Sequence, residues 1–471
     1  MIKNRDDEYA SIVPHERQLA HQKMEFYGFI HFTINTFTDR EWGDGTESPD
    51  LFDPGKLDAG QWARAIKAAG MTGAILTCKH HDGFCLWPSR YTAHTIAAGP
   101  YKNGVGDIVR EVSDALRKEE LAFGIYLSPW DRNHPSYGQG KNYDDYFVNQ
   151  LTELLTGYGP VFCVWLDGAC GENKEGKRQR YDWERYYATI RSLQPQACIC
   201  VCGPDVRWCG NEAGKTRESE WSVVPKRLCD AEKVAERSQQ EDNEAFRKQN
   251  IKSDELDLGS RERLQEEAEL IWYPSEVNTS IRPGWFYHES EDRQVKTLKE
   301  LIAVYERAVG GNATFLLNIP PTKEGLLHPN DVKRLKELGD YIREAYADNL
   351  LLQGEIYTDG QSVPLDLTKR DSHDCLYSTK EGKTALSLHI RFPEEIKLSR
   401  AVLMENIAYG QRIEQFELWA QTDGKLTKVS QGTTVGYKKI MTFPSIETKE
   451  LLLKIMDARA RIHLSFLGIY A

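Results

Sequence analysis

The sequence predicts an α/β fold, a (β/α)8-like barrel of the TIM type followed by a C-terminal all-β sandwich. Three observations predict it. Short apolar runs alternate with amphipathic segments over the first two thirds of the chain. The runs are continuously apolar, as strands of a parallel sheet covered on both faces must be. From about residue 351 the helical patterns give way to alternating segments punctuated by Asp-Gly and Gly-Lys turns.

The strand candidates are "YGFIHFTI" (27–34), "GAILTCKHH" (73–81), "LAFGIYLSPW" (121–130), "VFCVWLDG" (161–168), "ACICVCGPD" (197–205) and "TFLLNIPP" (314–321). Between them, "DAGQWARAIKAAG" (58–70) sets Trp62, Ala65, Ile66 and Ala69 on one helical face and stops at Gly70. The stretches 104–121 and 182–195 repeat that pattern, and so many units before residue 330 favour a closed barrel over an open sheet. Residues 229–270 are almost wholly charged and polar and read as a solvated insertion. The expected division is 1–347 for the barrel, including that insertion, and 348–471 for the sandwich, with "TALSLHIRF" and "KELLLKIM" among its strands.

The 471 residues carry a net charge of −11 with both signs interspersed, which argues against nucleic acid or an anionic membrane as partner. No apolar run approaches the roughly 18–20 residues of a membrane span. The polar start "MIKNRDDEYASIVPHERQLAHQ" has no apolar core, so no signal peptide is expected within it. A soluble protein follows, periplasmic or secreted if a signal peptide has been removed. Half of the ten cysteines sit inside apolar runs (Cys78, Cys163, Cys198, Cys200, Cys202), where thiols act as small hydrophobes.

In a parallel barrel the C-terminal strand ends build the active site. Those ends carry His31; Lys79, His80, His81 and Asp82; Tyr126, Trp130 and Asp131; Trp165 and Asp167; then Asp205, Arg207, Trp208 and Glu212; and later Trp285. Trp165 and Asp167 share one strand face. Aromatic faces, imidazole and indole N–H groups and carboxylates together suit a sugar pocket. Each has a plainer reading: Asp167 as a cap, His31 and Trp285 as core. His80 and His81 could ligate a metal with Asp82, but neighbours along a strand point opposite ways.

"CKHHDGFCLWPSRYTAHTI" (78–96) and "VWLDGACGEN" (164–173) resemble the strand-two and nucleophile motifs of glycoside hydrolase family 29, the α-L-fucosidases. "FYGFIHFTINTF" and "GNATFLLNIPP" resemble that family's first and last strands. The resemblance spans about residues 20–345, and a C-terminal sandwich is typical of the family. It implies a retaining exo-α-L-fucosidase with Asp167 as nucleophile and His31, His80, His81, Tyr126, Trp165 and Trp285 around the fucose. "RWCGNEAG" (207–214) resembles the branch specific for α-1,3/1,4-linked fucose and implies Glu212 as acid/base, with Glu218, Glu220 and Glu276 as rivals. "EWGDGTESPD" (41–50) adds Trp42 and Glu47 to the substrate contacts. The implied partner is a fucosylated oligosaccharide or glycoconjugate of Lewis type, and no metal or organic cofactor is implied. A catalytically silent carbohydrate-binding protein and a metal-dependent hydrolase are the rival readings. The chemistry further demands that hydrogen bonds or a cation keep Asp167 charged.

Overall fold

A computed structural model describes residues 5–363 and 377–471. Its first sheet has eight parallel strands: β1 (Phe26–Ile30), β2 (Gly73–Lys79), β3 (Ala122–Leu127), β4 (Cys163–Leu166), β5 (Cys198–Val201), β6 (Arg207–Trp208), β9 (Ser275–Ser280) and β10 (Ala313–Asn318). β7 (Val223–Pro225) and β8 (Leu270–Trp272) form a separate antiparallel pair. The order is β5-β4-β3-β2-β1-β10-β9-β6. A single parallel bridge, Cys200 to Val206, joins the two ends, so the sheet is a nearly closed barrel.

Alternation along the strands sorts two cores. Cys163 and Trp165 of β4 point into the lumen beside Phe29 and Tyr126, while Val164 and Leu166 face the surrounding helices. The helix Ala59–Ala68 shows why the sequence pattern works. Asp58 caps it by accepting the Gln61 N–H, Trp62 and Ile66 are fully buried, and Gly70 ends it with φ +79°.

Two barrel strands escape the apolar pattern. β9 reads "SEVNTS" yet is buried at every position, because its polar side chains face lumen partners instead of water. β6 is a two-residue piece. The charged segment 229–270 is held at its ends by the β7–β8 ladder. It is less solvated than expected: Ala231, Leu258 and Leu264 are buried, and part of the segment reaches the mouth of the barrel.

The C-terminal strands form an antiparallel β domain around a core of its own. The alternation expected of "TALSLHIRF" holds from Leu386 to Phe392. The segments prove longer than they read, since Leu386–Glu405 and Lys439–Ala458 are single strands whose register shifts bend them. This domain grips the base of the charged segment. Arg459 lies 3.9 Å over the Trp221 ring and donates to the Gly259 carbonyl, and Arg261 pairs with Asp457.

The nine described cysteines are free, and seven are buried. Cys375 lies outside the described residues. Among the described residues no helix is long and apolar enough to cross a membrane.

Candidate active site

A cavity opens at the C-terminal ends of the strands. Its lining includes His31, Trp42, His80, His81, Trp165, Asp167, Glu212 and Trp285, eight of the ten residues singled out above. Tyr126 and Glu47 do not line it. Tyr126 stands behind the wall and donates its hydroxyl to Asp167 Oδ2 at 2.8 Å. Glu47 turns into its own loop, accepting the N–H groups of Asp44 and Gly45, and so shapes the turn beside Trp42 instead of facing the cavity.

Asp167 follows the last residue of β4. Its side chain keeps 22% exposure and accepts the Ala169 N–H at 2.9 Å. Burial pushes its carboxyl above the ordinary range, opposed by the donors of Ala169, Tyr126 and Gly168. Of the two supports expected for its charge, hydrogen bonds or a cation, the hydrogen bonds are present, and no lysine or arginine pairs with it among the described residues. His81 Nε2 lies 3.8 Å away, but burial holds His81 well below its usual pKa and hence neutral.

His80 and His81 both face the cavity, with ring centroids 4.1 Å apart. This corrects the expectation that they diverge. The β2–β3 register slips between Thr77 and Lys79, and the strand ends at Lys79, so alternation no longer governs the next two residues. His80 stacks on Tyr126 and His81 pairs through Nδ1 with Ser128 Oγ at 2.7 Å. His31 Nδ1 pairs with Asn318 Oδ1 at 2.8 Å, and burial pushes His31 down to about 4. Three neutral imidazoles therefore present ring nitrogens to the cavity.

Glu212 lies in the loop after β6. Asn211 folds that loop by accepting the N–H groups of Ala213 and Lys215. Glu212 Oε2 accepts the Trp285 indole N–H at 3.0 Å. Burial pushes its carboxyl up to about 7; the Trp285 bond opposes this and the Asp167 charge adds to it. The rivals lie elsewhere. Glu218 is exposed, Glu220 is locked between Arg207 and Arg217, and Glu276 sits beneath Trp165, outside the cavity lining.

The structure adds residues that sequence reasoning missed. Glu41 lines the cavity and gathers its rim, accepting the N–H groups of Trp285 and Phe286 and pairing with His288 and Arg247. Burial would push Glu41 up, but those partners outweigh it and hold the carboxyl low. Ser238, Gln239 and Phe246 of the charged segment complete the wall, Phe246 stacking on Trp208 at 6.1 Å. Phe246 is the one aromatic residue in 229–270, which is the signal that could have found it. Gly168 admits this wall, because a Cβ there would collide with Ser238 Oγ.

His80, His81 and Asp167 each offer a ligand atom within 4.8 Å of the others, a spacing a metal ion could use. Asp82 does not join them. It accepts the Phe84 N–H and the Thr33 hydroxyl instead.

Comparison with known proteins gives this cavity its context. A family model described as alpha-L-fucosidase matches residues 7–346. Alpha-L-fucosidase 1 of Arabidopsis thaliana is 35% identical over 474 residues, covering 97% of this chain and 87% of that protein. A crystal structure from Bacteroides ovatus superposes with a TM-score of 0.86 at 44% identity, covering 100% of this chain and 76% of that one. A fucosidase of glycoside hydrolase family 29 from Ruminococcus gnavus, solved in complex with fucose, gives 0.83 at 27% identity, covering 98% and 95%. The chain thus belongs to the α-L-fucosidase family and is a glycoside hydrolase of that kind.

Proposed function

We propose that the cavity is the fucose site of a retaining exo-α-L-fucosidase that removes terminal α-1,3/1,4-linked fucose from branched, Lewis-type glycans. The observation that carries this reading is the pair Asp167 and Glu212 on one cavity, with Glu212 holding its proton up to about 7. Retention needs two carboxyls on opposite sides of the anomeric carbon. Asp167 attacks C1 while Glu212 gives its proton to the departing oxygen. Glu212 then takes a proton from water, whose oxygen attacks C1 and releases Asp167. The neutral His31, His80 and His81 read sugar hydroxyls, and Trp165, Trp285 and Trp42 pack on the deoxy sugar's apolar faces. The fucose complex of the Ruminococcus gnavus relative supports the choice of sugar.

The linkage preference rests on the likeness of "RWCGNEAG" and "EWGDGTESPD" to the α-1,3/1,4 branch, and on a wall at Trp208 and Phe246 that a leaving group would meet. Residues 1–347 serve as the catalytic unit in this reading and 348–471 as its companion.

The test is fucose release from a Lewis-type fucosylated lactosamine trisaccharide and, in parallel, from 2'-fucosyllactose, following the first-formed anomer by NMR. Release from the first alone, as the α-anomer, is expected. Equal release from both removes the linkage assignment, and an initial β-anomer removes retention. Binding without release moves the protein to the silent reading. Loss of activity in a chelator would favour an ion at His80, His81 and Asp167.

A further inference from the structure

Glu276 stands on β9, in register with Thr314 of β10 and Trp208 of β6, and is fully buried. Both of its oxygens are engaged. Oε1 accepts the Trp165 indole N–H at 2.8 Å, and Oε2 is hydrogen-bonded to the Tyr27 hydroxyl. That hydroxyl lies 2.9 Å from His21 Nε2 and 3.0 Å from Thr314 Oγ1. The groups facing Glu276 are His21 from helix Glu16–Met24, Tyr27 from β1, Cys163 and Trp165 from β4, Cys200 from β5, and Thr314.

None of these supplies a positive charge near neutrality, since burial pushes His21 down to about 4. An ionised Glu276 would face only neutral dipoles, and burial accordingly pushes its carboxyl up to about 7 against the Tyr27 and Trp165 bonds. An indole N–H can only donate, so Oε1 accepts in either state. An ionised Glu276 accepts the Tyr27 hydroxyl at Oε2; as the neutral acid its Oε2–H can donate to the Tyr27 oxygen instead, which leaves the Tyr27–His21 bond to the imidazole tautomer. Above Glu276, the Trp165 ring stacks 5.4 Å from Tyr126, whose hydroxyl donates to Asp167.

We propose that Glu276 is a positioning residue for the cavity: as the neutral acid it fixes the Trp165 indole from beneath and, through the Trp165–Tyr126 stack, steadies the donor to Asp167. The proposal rests on reading the cavity as a fucose site.

Fucose binding by calorimetry, aryl fucoside kinetics and melting temperature would be measured at pH 6 and about 8.5 for wild type, Glu276→Gln and Glu276→Ala. Gln keeps the shape and stays uncharged, so it should bind fucose within about threefold of wild type at pH 6. Ala leaves the indole N–H unpaired and should weaken fucose binding about tenfold, raising KM more than it lowers kcat. A carboxyl whose folded pKa is raised binds more protons folded than unfolded, so its stabilisation fades as pH rises through about 7. Wild type should therefore lose more melting temperature than Glu276→Gln over this range. A folded Ala variant that binds fucose like wild type overturns the proposal, as does a melting gap that stays flat with pH. If Ala does not fold, Gln against wild type decides. If wild type binds no fucose, the cavity reading falls, and the melting comparison still reports the state of Glu276.

Discussion

Glu212 and Glu220 belong to one loop, Glu220 buried and Glu212 half-buried on the cavity wall, and their environments differ completely. Arg207 and Arg217 close on Glu220 and outweigh its burial, so it stays ionised as an anchor. Glu212 meets only an indole N–H and keeps its proton up to about 7. A buried carboxylate with cations is structure; one without them is a candidate acid. Sequence alone leaves the two as rivals, since it shows neither where the arginines reach nor where the loop turns.

Four experiments can break or sharpen this contrast. The largest effect belongs to the group that Glu212 works against. Asp167→Ala should cost on the order of 10⁴-fold in kcat on an aryl fucoside, with the circular dichroism spectrum unchanged. Activity near wild type would remove the nucleophile and leave Glu212 without its partner. Next comes the exchange between the two glutamates. Glu212→Ala should lose about 10²–10⁴-fold on natural glycans and far less on an aryl fucoside whose leaving group needs no proton. Glu220→Gln should instead destabilise the protein by about 3–5 kcal/mol, because it strips a buried pair of one charge. Reversed phenotypes would reverse the assignments.

A smaller effect is expected where the charged segment meets the Asp167 loop. Gly168→Ala should cost about 1–3 kcal/mol as Ser238 is displaced, and Ser238→Gly in the same chain should restore most of it. Strict additivity of the two changes would refute the contact. The smallest concerns the acid's titration. kcat/KM should fall as pH rises through about 7, where Glu212 loses its proton. Arg247 draws that pKa down from a distance, so Arg247→Gln should move the alkaline limb to higher pH. A downward move would contradict the electrostatics.

The sequence is most legible where one local rule acts alone. Apolar runs mark six barrel strands, and the period of two places Trp165 and Asp167 on one face. Capping residues such as Asp58 mark helix starts. It is least legible where tertiary partners override the pattern. β9 is polar because its partners are inside the barrel, so it does not read as a buried strand. A register slip turns His80 and His81 together, which no alternation rule foresees. Glu47 looks like a substrate contact in its motif but spends both oxygens on its own loop. The charged run 229–270 reads as solvent-borne because charge outnumbers its few apolar residues, yet those few dock it and Phe246 enters the wall.

The grip of Arg459 and Asp457 on the base of that run bears on how the molecule can be taken apart. The C-terminal β domain serves as the footing for a wall of the cavity, because Arg459 clasps Trp221 and Gly259 while Arg261 meets Asp457. Cutting the chain after the barrel would unmoor that wall as well as remove a module. A chimera that borrows a foreign sandwich must bring its own clasp for Trp221, or the cavity it inherits will have one wall without its footing.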